Sequence, residues 1–260
     1  MIRNVPAALY LVAAFTFIFL PIGVLVLFSF QDGSIPVPPL RGISLRWYET
    51  LFANDRMMSA LANSLLVGAL SAVVATVLGF LAAYGLARHR PRARRVMEGL
   101  IMAPIAVSYL VIGLGLAMAF NDLGFSRSLE QVVIGHIVIN LPIAFAIILS
   151  QMDEHQEHAE RAARDLGASE LRVLTGITVP LLLPGLLAAF VLTFTLSWDE
   201  FVIALLLSRF DVTLPVEIWS TLRTGLDPQT NAVGTLVFVL SVGLLIVAYP
   251  LFTWLSRRVR

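Results

Sequence analysis

Long apolar runs separated by short polar segments dominate the chain. Six runs reach the roughly 20 residues that a helix needs to cross about 30 Å of hydrocarbon. They cover residues 5–30, 61–87, 100–120, 132–150, 181–207 and 232–255. The pattern predicts an all-α, polytopic membrane protein with six transmembrane helices. An even number of crossings places both termini on the same side of the membrane.

Glycine and proline recur inside these runs, as at Pro104 in the third. Membrane helices tolerate both residues, because neighbouring helices and waters satisfy the freed backbone groups. We therefore expect them to leave the helix count unchanged. Small residues also let membrane helices approach closely. The candidates for such contacts are Gly79, Ala82, Ala83, Gly113 and Gly115.

A charged segment, residues 151–178, interrupts the apolar pattern between the fourth and fifth runs. Within it Ala159, Ala162, Ala163 and Leu166 follow the spacing i, i+3, i+4, i+7, which gives a short helix one small, apolar face and one charged face. We predict that this face docks on another protein. The alternative is a flexible loop whose periodicity is accidental.

Composition agrees with the membrane assignment, because 58% of the residues are hydrophobic, 13% are charged and the mean hydropathy is +0.86. The chain has no lysine, so its 18 cations are arginines. With the amino terminus inside, 12 of these 18 arginines fall on the inner side. Cytoplasmic loops accumulate positive charge. We therefore predict that both termini and segment 151–178 are cytoplasmic.

Missing residue types limit the chemistry. Without cysteine or lysine the chain has no disulfide, no thiolate nucleophile and no P-loop lysine for ATP. We expect no catalytic residue, no metal site and no enzyme activity. His155 and His158, beside acidic residues, are a possible metal pair, but a solvated helix face is the simpler interpretation. His136 lies alone in the fourth run, where either a pore role or hydrogen-bonded packing fits.

The basic cluster at residues 88–95 serves topology and lipid headgroups in the simplest interpretation. Nucleic-acid binding is not expected.

The spacing in the charged segment resembles a known signature. Ala162, Ala163, Gly167, Ile177 and Pro180 fall at the positions of E-A-A-x(3)-G-x(9)-I-x-L-P, which marks permease subunits of binding-protein-dependent ABC importers. This chain has Arg161 at the position of the family's glutamate, preceded by Glu160, and valine in place of the signature leucine. Residues 194–208 and 214–232 are similar to the second permease subunit of spermidine/putrescine importers.

The resemblance implies a type I ABC importer permease fold, a single transmembrane domain over residues 1–260, and a coupling loop at 151–178. It also implies a cytoplasmic ATPase dimer, a second permease subunit and a periplasmic solute-binding protein in a bacterial inner membrane. ATP and Mg would be bound by the ATPase, so this chain would need no cofactor. The predicted ATPase-coupling residues are Glu160, Arg161, Ala162, Ala163, Asp165, Gly167, Ile177 and Pro180. Gly167 is expected to end the first short helix in the left-handed conformation, and Leu171, Leu174 and Ile177 to anchor a second short helix to the membrane bundle.

Trp198, Asp199 and Glu200 form a polar group inside the fifth apolar run, where charge is costly unless it faces water or a bundle interior. Under the polyamine resemblance they are predicted to line the substrate path, with Trp198 adding a cation-π surface. Alternatively, one carboxylate pairs with an arginine of the partner subunit or caps a break in the helix. The same importer type for another small solute, a secondary transporter and an intramembrane enzyme remain as alternative functions.

Overall fold

A computed structural model describes residues 5–33, 40, 42–89, 91–225 and 228–259, and these residues are almost entirely helical. The predicted all-α class is confirmed, since β structure in these ranges is limited to an isolated bridge between Gln31 and Ile43. The helices are α1 Val5–Ser29, α2 Arg46–Phe52, α3 Asp55–His89, α4 Arg94–Met102, α5 Tyr109–Asp122, α6 Leu129–Ser150, α7 Glu154–Asp165, α8 Glu170–Val173, α9 Val179–Trp198, α10 Val202–Leu207, α11 Leu214–Thr224 and α12 Pro228–Val259.

Five of these helices, or parts of them, are long and apolar enough to cross a membrane among the described residues. A sixth crossing exists if α4, with its 3₁₀ extension, and α5 count as one span, although they are bent by 103°. The chain leaves the helical conformation after Pro104, at Val107 and Ser108, which are both extended. The third apolar run is therefore divided after Pro104, and the predicted count of six requires its two helices to form one span.

The fifth apolar run is also divided. Helix α9 ends at Trp198 and α10 begins at Val202, so Asp199, Glu200 and Phe201 lie between two helices. Asp199 and Glu200 therefore lie within an apolar span, as the sequence predicted. They are located between two helices and not inside one continuous helix.

Two compact units account for the chain. One comprises Met1–Ser59 and Glu217–Leu244, and the other Ala60–Val216 and Leu245–Arg260. Both are parts of one chain, and the single transmembrane domain over residues 1–260 stays a prediction.

In the first unit, α1 is exposed along almost its whole length. A helix that is apolar on all sides and exposed to this extent suits a lipid environment. Helix α2 is held to the end of α1 by hydrogen bonds from Trp47 Nε1 to the Gln31 carbonyl, 2.7 Å, and between Tyr48 and Ser29, 2.7 Å.

The second unit contains two buried apolar clusters. The first joins α3, α6 and α9 around Phe80, Phe145 and Leu182, and the second joins α3, α6 and α10 around Val67, Ile139 and Ile203. Both clusters include α3 and α6, so these two helices are the centre of the second unit's packing.

Two of the predicted glycine contacts are present. A Cβ at Gly79 would lie 2.8 Å from the Phe145 backbone nitrogen, and one at Gly113 would lie 2.7 Å from a methyl of Leu206. A Cβ at Gly115 would meet nothing within 4 Å, so Gly115 makes no such contact within this chain. Gly135, which the sequence prediction missed, is closest, because a Cβ there would lie 2.5 Å from Ile203.

The arginine count used for orientation includes Arg3, Arg41, Arg90 and Arg260, which lie outside the described residues. The cytoplasmic position of the termini stays a prediction.

Candidate functional site

The segment predicted to couple to an ATPase begins with a capped helix. Asp153 accepts a hydrogen bond from the Gln156 backbone N–H, 2.9 Å, at the start of α7. The helix ends at Gly167, whose φ of +86° is the left-handed conformation predicted for it. The Ala168 N–H bonds to the Ala163 carbonyl and the Gly167 N–H to the Arg164 carbonyl. This pair of bonds is a Schellman motif, so the predicted helix-ending geometry is confirmed.

Beyond this turn the chain enters the fifth span through an irregular helix. Helix α8 continues into a π-helical turn, Leu174–Thr178, and then into α9, where Pro180 is the second residue. Proline has no N–H to donate to the preceding turn, which is compatible with a local change of helix type. Ile177 lies half-buried in this turn, and Pro180 is exposed.

Glu160 belongs to α7 and lies on the buried side of this helix, where it is completely buried. Its carboxylate accepts two hydrogen bonds from Arg88 at the end of α3, from Nε at 2.8 Å and from Nη2 at 3.1 Å. The Thr178 hydroxyl donates a third, 2.9 Å long. Glu160 therefore joins α7, α3 and the entrance to α9 into one assembly, and in this conformation it presents no surface to a partner.

The solvent-exposed side of the same segment carries both apolar and charged side chains. Leu166 is 90% exposed and Leu171 is 71% exposed. The expectation that Leu171 anchors the segment to the bundle is wrong, because the buried residue of α8 is Val173. A large exposed apolar surface on a capped helix is typical of a protein contact.

Ion pairs flank this apolar surface. Arg164 binds Glu170 with hydrogen bonds of 2.7 and 3.1 Å, and Arg161 pairs with Glu157. The hydrogen bond to Glu170 raises the pKa of the Arg164 guanidinium. Ala162 and Asp165 are exposed, and Ala163 is half-buried.

Glu200 caps the helix that follows the break in the fifth span. Its carboxylate accepts hydrogen bonds from the backbone N–H groups of Val202, Ile203 and Ala204, at 2.8 to 3.1 Å. These groups are the unpaired donors of the first turn of α10, where a negative charge is also favoured by the helix dipole. Glu200 is thus a buried helix cap, as one of the sequence-based alternatives proposed.

His136 on α6 supports this cap from the other side. The imidazole is fully buried, with Nε2 3.2 Å from the Glu200 carboxylate and Nδ1 2.6 Å from the Ser197 hydroxyl. Ser197 in turn lies 2.9 Å from the Ser71 hydroxyl, which bonds to the Gly68 carbonyl at 3.2 Å. Between the two interpretations of His136, the hydrogen-bonded packing role describes its contacts.

The other two predicted path residues differ in exposure. Asp199 is exposed, whereas Trp198 is only 6% exposed and stacks on Phe194, with ring centroids 6.3 Å apart. In this conformation Asp199 is the accessible charge at the break. The predicted cation-π role of Trp198 would require a movement that uncovers its ring.

The structure thus assembles two separate groups of predicted residues, one on α7 to α9 and one at the break between α9 and α10. Sequence reasoning missed the partners that hold them, which are Arg88, Thr178, Ser71, Ser197 and the supporting contact of His136. The available signal was the presence of hydroxyl and imidazole groups within apolar spans, since buried polar groups need partners.

These features define the class of protein: a helical membrane protein with an exposed helical loop and a broken span. Residues 75–260 match the family described as the binding-protein-dependent transport system inner membrane component. The chain belongs to this family, and so is the membrane component of an ABC importer. Membership decides against the secondary transporter and the intramembrane enzyme.

Curated relatives cover nearly the whole chain. The spermidine/putrescine transport system permease protein PotC of Haemophilus influenzae is 30% identical over 92% of this chain and 93% of its own length. The putrescine transport system permease protein PotI of Escherichia coli K12 is 34% identical over 91% of this chain and 87% of its own length.

Solved structures share the fold. A bacterial ABC transporter that imports the acidic polysaccharide alginate contains a chain with a TM-score of 0.70 and 21% identity, over 97% of this chain and 95% of that one. The MetNI methionine ABC transporter contains one with a TM-score of 0.63 and 15% identity, over 82% of this chain and 99% of that one. The predicted permease fold is confirmed.

Proposed function

We propose that this permease subunit translocates a polyamine, of the putrescine or spermidine class. The observation that carries the proposal is the break at Asp199–Phe201, where Glu200 is fixed as a helix cap and the neighbouring Asp199 carboxylate is exposed. A carboxylate at a break in a membrane span attracts a cationic amine. The names of the PotC and PotI relatives support the same solute class.

We further propose that the α7 surface around Leu166 and Leu171 binds a cytoplasmic ATPase. Arg161, Ala162, Asp165 and Gly167 belong to this exposed surface, whereas Glu160 acts beneath it by fixing α7 to α3. The partners in this proposal are an ATPase dimer that binds ATP and Mg, a second permease subunit and a periplasmic binding protein. Both termini then lie in the cytoplasm of a bacterium.

ATP binding would move the α7 surface, and the buried Glu160–Arg88 pair would transmit this movement to α3. The permease pair would then open its pathway outward by rigid-body rotation. A buried, bidentate ion pair suits this task because it resists separation.

The test of the solute is ATP hydrolysis by the reconstituted complex of this chain with its partner permease, ATPase and binding protein. We expect stimulation by putrescine or spermidine and none by a neutral sugar or an amino acid. Stimulation by another solute only would overturn the polyamine proposal and leave the importer function intact.

The test of the site is Asp199→Asn, which removes the charge with little change in shape. We expect polyamine uptake to fall about tenfold or more, because an attraction of about 1.4 kcal/mol or greater is lost. The matched control is Asp55→Asn, another exposed carboxylate, which lies at the start of α3. Unchanged uptake in Asp199→Asn with normal assembly would remove Asp199 from the path.

A further inference from the structure

We propose that a cavity at the α5–α6 end of the second unit binds the phosphate of an anionic glycerophospholipid. The cavity measures about 560 Å³. It is formed by the last turns of α5, the connection to α6, the start of α6 and Arg209, which follows α10. The proposal concerns the membrane around the transporter and does not depend on the identity of the solute.

The polar part of the lining consists of hydrogen-bond donors without a carboxylate. Arg127 and Arg209 both line the cavity, and so does Asn121. Neither guanidinium forms an ion pair within 4.0 Å in the part of the chain that the structure describes. Arg209 lies over the Phe210 ring at 4.7 Å, a contact that leaves its charge uncompensated.

Two other arginines, Arg46 and Arg56, differ because each has a carboxylate partner. Arg46 approaches Asp32 at 3.8 Å, and Arg56 bonds to Glu217 at 2.9 Å. Two unpaired cations that share one cavity therefore call for an anion from outside the chain. Phosphate suits this site because guanidinium groups bind its oxygens through several charge-assisted hydrogen bonds.

The rest of the lining is apolar and follows one face of α5. Leu114, Ala117, Met118 and Asn121 are spaced i, i+3, i+4 and i+7, so the face changes from apolar to polar toward the end of the helix. Seven residues of helix span about 10 Å. With α4 and α5 taken as one span, this order follows depth in the membrane, with apolar residues deeper and the arginines at the interface.

This order matches a phospholipid, whose phosphate lies at the interface and whose acyl chains run inward beside it. Met118 is 68% exposed and Phe125 is 62% exposed, so the apolar wall is open on one side. A carboxylate on a partner protein would satisfy the arginines but would not by itself cover this wall, whereas one phospholipid supplies both the anionic group and the apolar chains. The observations therefore favour a lipid.

A lipid bound here would connect three parts of the second unit. Helices α5 and α6 already contact α10 closely, at Gly113 against Leu206 and at Gly135 against Ile203. A phosphate shared by Arg127 and Arg209 adds a contact between the α5–α6 connection and the residue that follows α10. We therefore expect an anionic lipid to stabilise this region and to be retained during purification.

The test is retention of lipid by the complete transporter complex in mixed micelles. The probes are phosphatidylglycerol and phosphatidylcholine at equal concentration, followed by native mass spectrometry. We expect wild type to retain phosphatidylglycerol in at least about tenfold preference, as two charge-assisted contacts imply. The double variant Arg127→Gln/Arg209→Gln should lose this preference, and Arg46→Gln, whose arginine is already paired, should keep it.

Two further arms identify the source of the phosphate. Ala117→Trp fills the apolar part of the cavity and leaves both arginines, so it should reduce lipid retention as well. Inorganic phosphate or glycerophosphoglycerol, added in place of lipid, should raise the melting temperature of the complex far less than phosphatidylglycerol does.

Equal retention of the two lipids by wild type would overturn the proposal, and so would full retention of phosphatidylglycerol by the double variant. Stabilisation by inorganic phosphate equal to that by lipid would also overturn it. The comparison of two lipids on wild type needs no variant, so it decides the outcome even if the double variant fails to assemble.

Discussion

Two of the buried glutamates, Glu160 and Glu200, have different kinds of partner. Glu160 is neutralised by a permanent cation from another helix, Arg88, at 2.8 Å. Glu200 is held by backbone N–H groups of its own span and by His136, whose charge depends on a proton. The first carboxylate joins separate elements, and the second closes a local break.

Each of these two glutamates also lies near an exposed surface. Helix α7 presents Leu166 above Glu160, and the break presents Asp199 beside Glu200. In both places a glutamate that the sequence analysis predicts as a site residue is buried and positions a nearby exposed residue. Variants that remove Arg88 or Glu200 should therefore lower stability to different extents and in different parts of the protein.

The largest effect is expected for Arg88→Ala. This variant removes both hydrogen bonds from Arg88 to the buried Glu160 carboxylate and leaves Arg164, 3.9 Å away, as its cation, which costs about 3 kcal/mol of stability. The measurement is the free energy of unfolding of the purified protein in detergent. The matched control is Arg94→Ala, whose pair with Glu98 is 41% and 30% exposed, and which should cost less than about 1 kcal/mol.

A second variant separates the ion pair from other effects of Arg88. The double variant Arg88→Ala/Glu160→Ala has no uncompensated charge and should regain part of the lost stability. If Arg88→Ala and Arg94→Ala cost the same, the buried pair is not the anchor that its geometry indicates.

Much of the fold could be predicted because it follows from local composition. The six apolar runs give the helices, since the length needed to cross a membrane is fixed. Gly167 could be predicted for a similar reason, because glycine adopts a left-handed φ at low cost and ends helices. Such features depend on a few neighbouring residues.

The anchors of the site could not be predicted, because they depend on residues far apart in sequence. Arg88 and Glu160 are separated by 72 positions, and Ser71 and Ser197 by 126. The sequence shows that each group needs a partner but does not say which one. The 103° bend after Pro104 was missed for the same reason, since proline permits a kink whose angle is set by packing.

A smaller and more local effect is expected for Glu200→Ala. Three N–H groups at the start of α10 lose their acceptor, which costs about 2–3 kcal/mol in a buried setting. Amide hydrogen exchange at Val202, Ile203 and Ala204 should become faster, with little change at α7. The matched control is Asp199→Ala, an exposed neighbour, which should change stability by less than about 0.5 kcal/mol. Unchanged exchange at the three amides would refute the capping role.

The smallest effect on stability, and a larger one on function, is expected for Gly167→Val. A β-branched residue in the left-handed region costs about 1–2 kcal/mol, and the cost is confined to the end of α7. Glu160 would remain anchored to Arg88, so the protein should still fold while the exposed surface changes direction. We expect the number of solute molecules imported per ATP hydrolysed to fall severalfold in the reconstituted complex. Gly167→Asn is the matched control, since asparagine tolerates this conformation better than valine does. Coupling like that of wild type in Gly167→Val would show that the turn does not orient the surface, and the buried ion pair would then be the sole structural basis for coupling through α7.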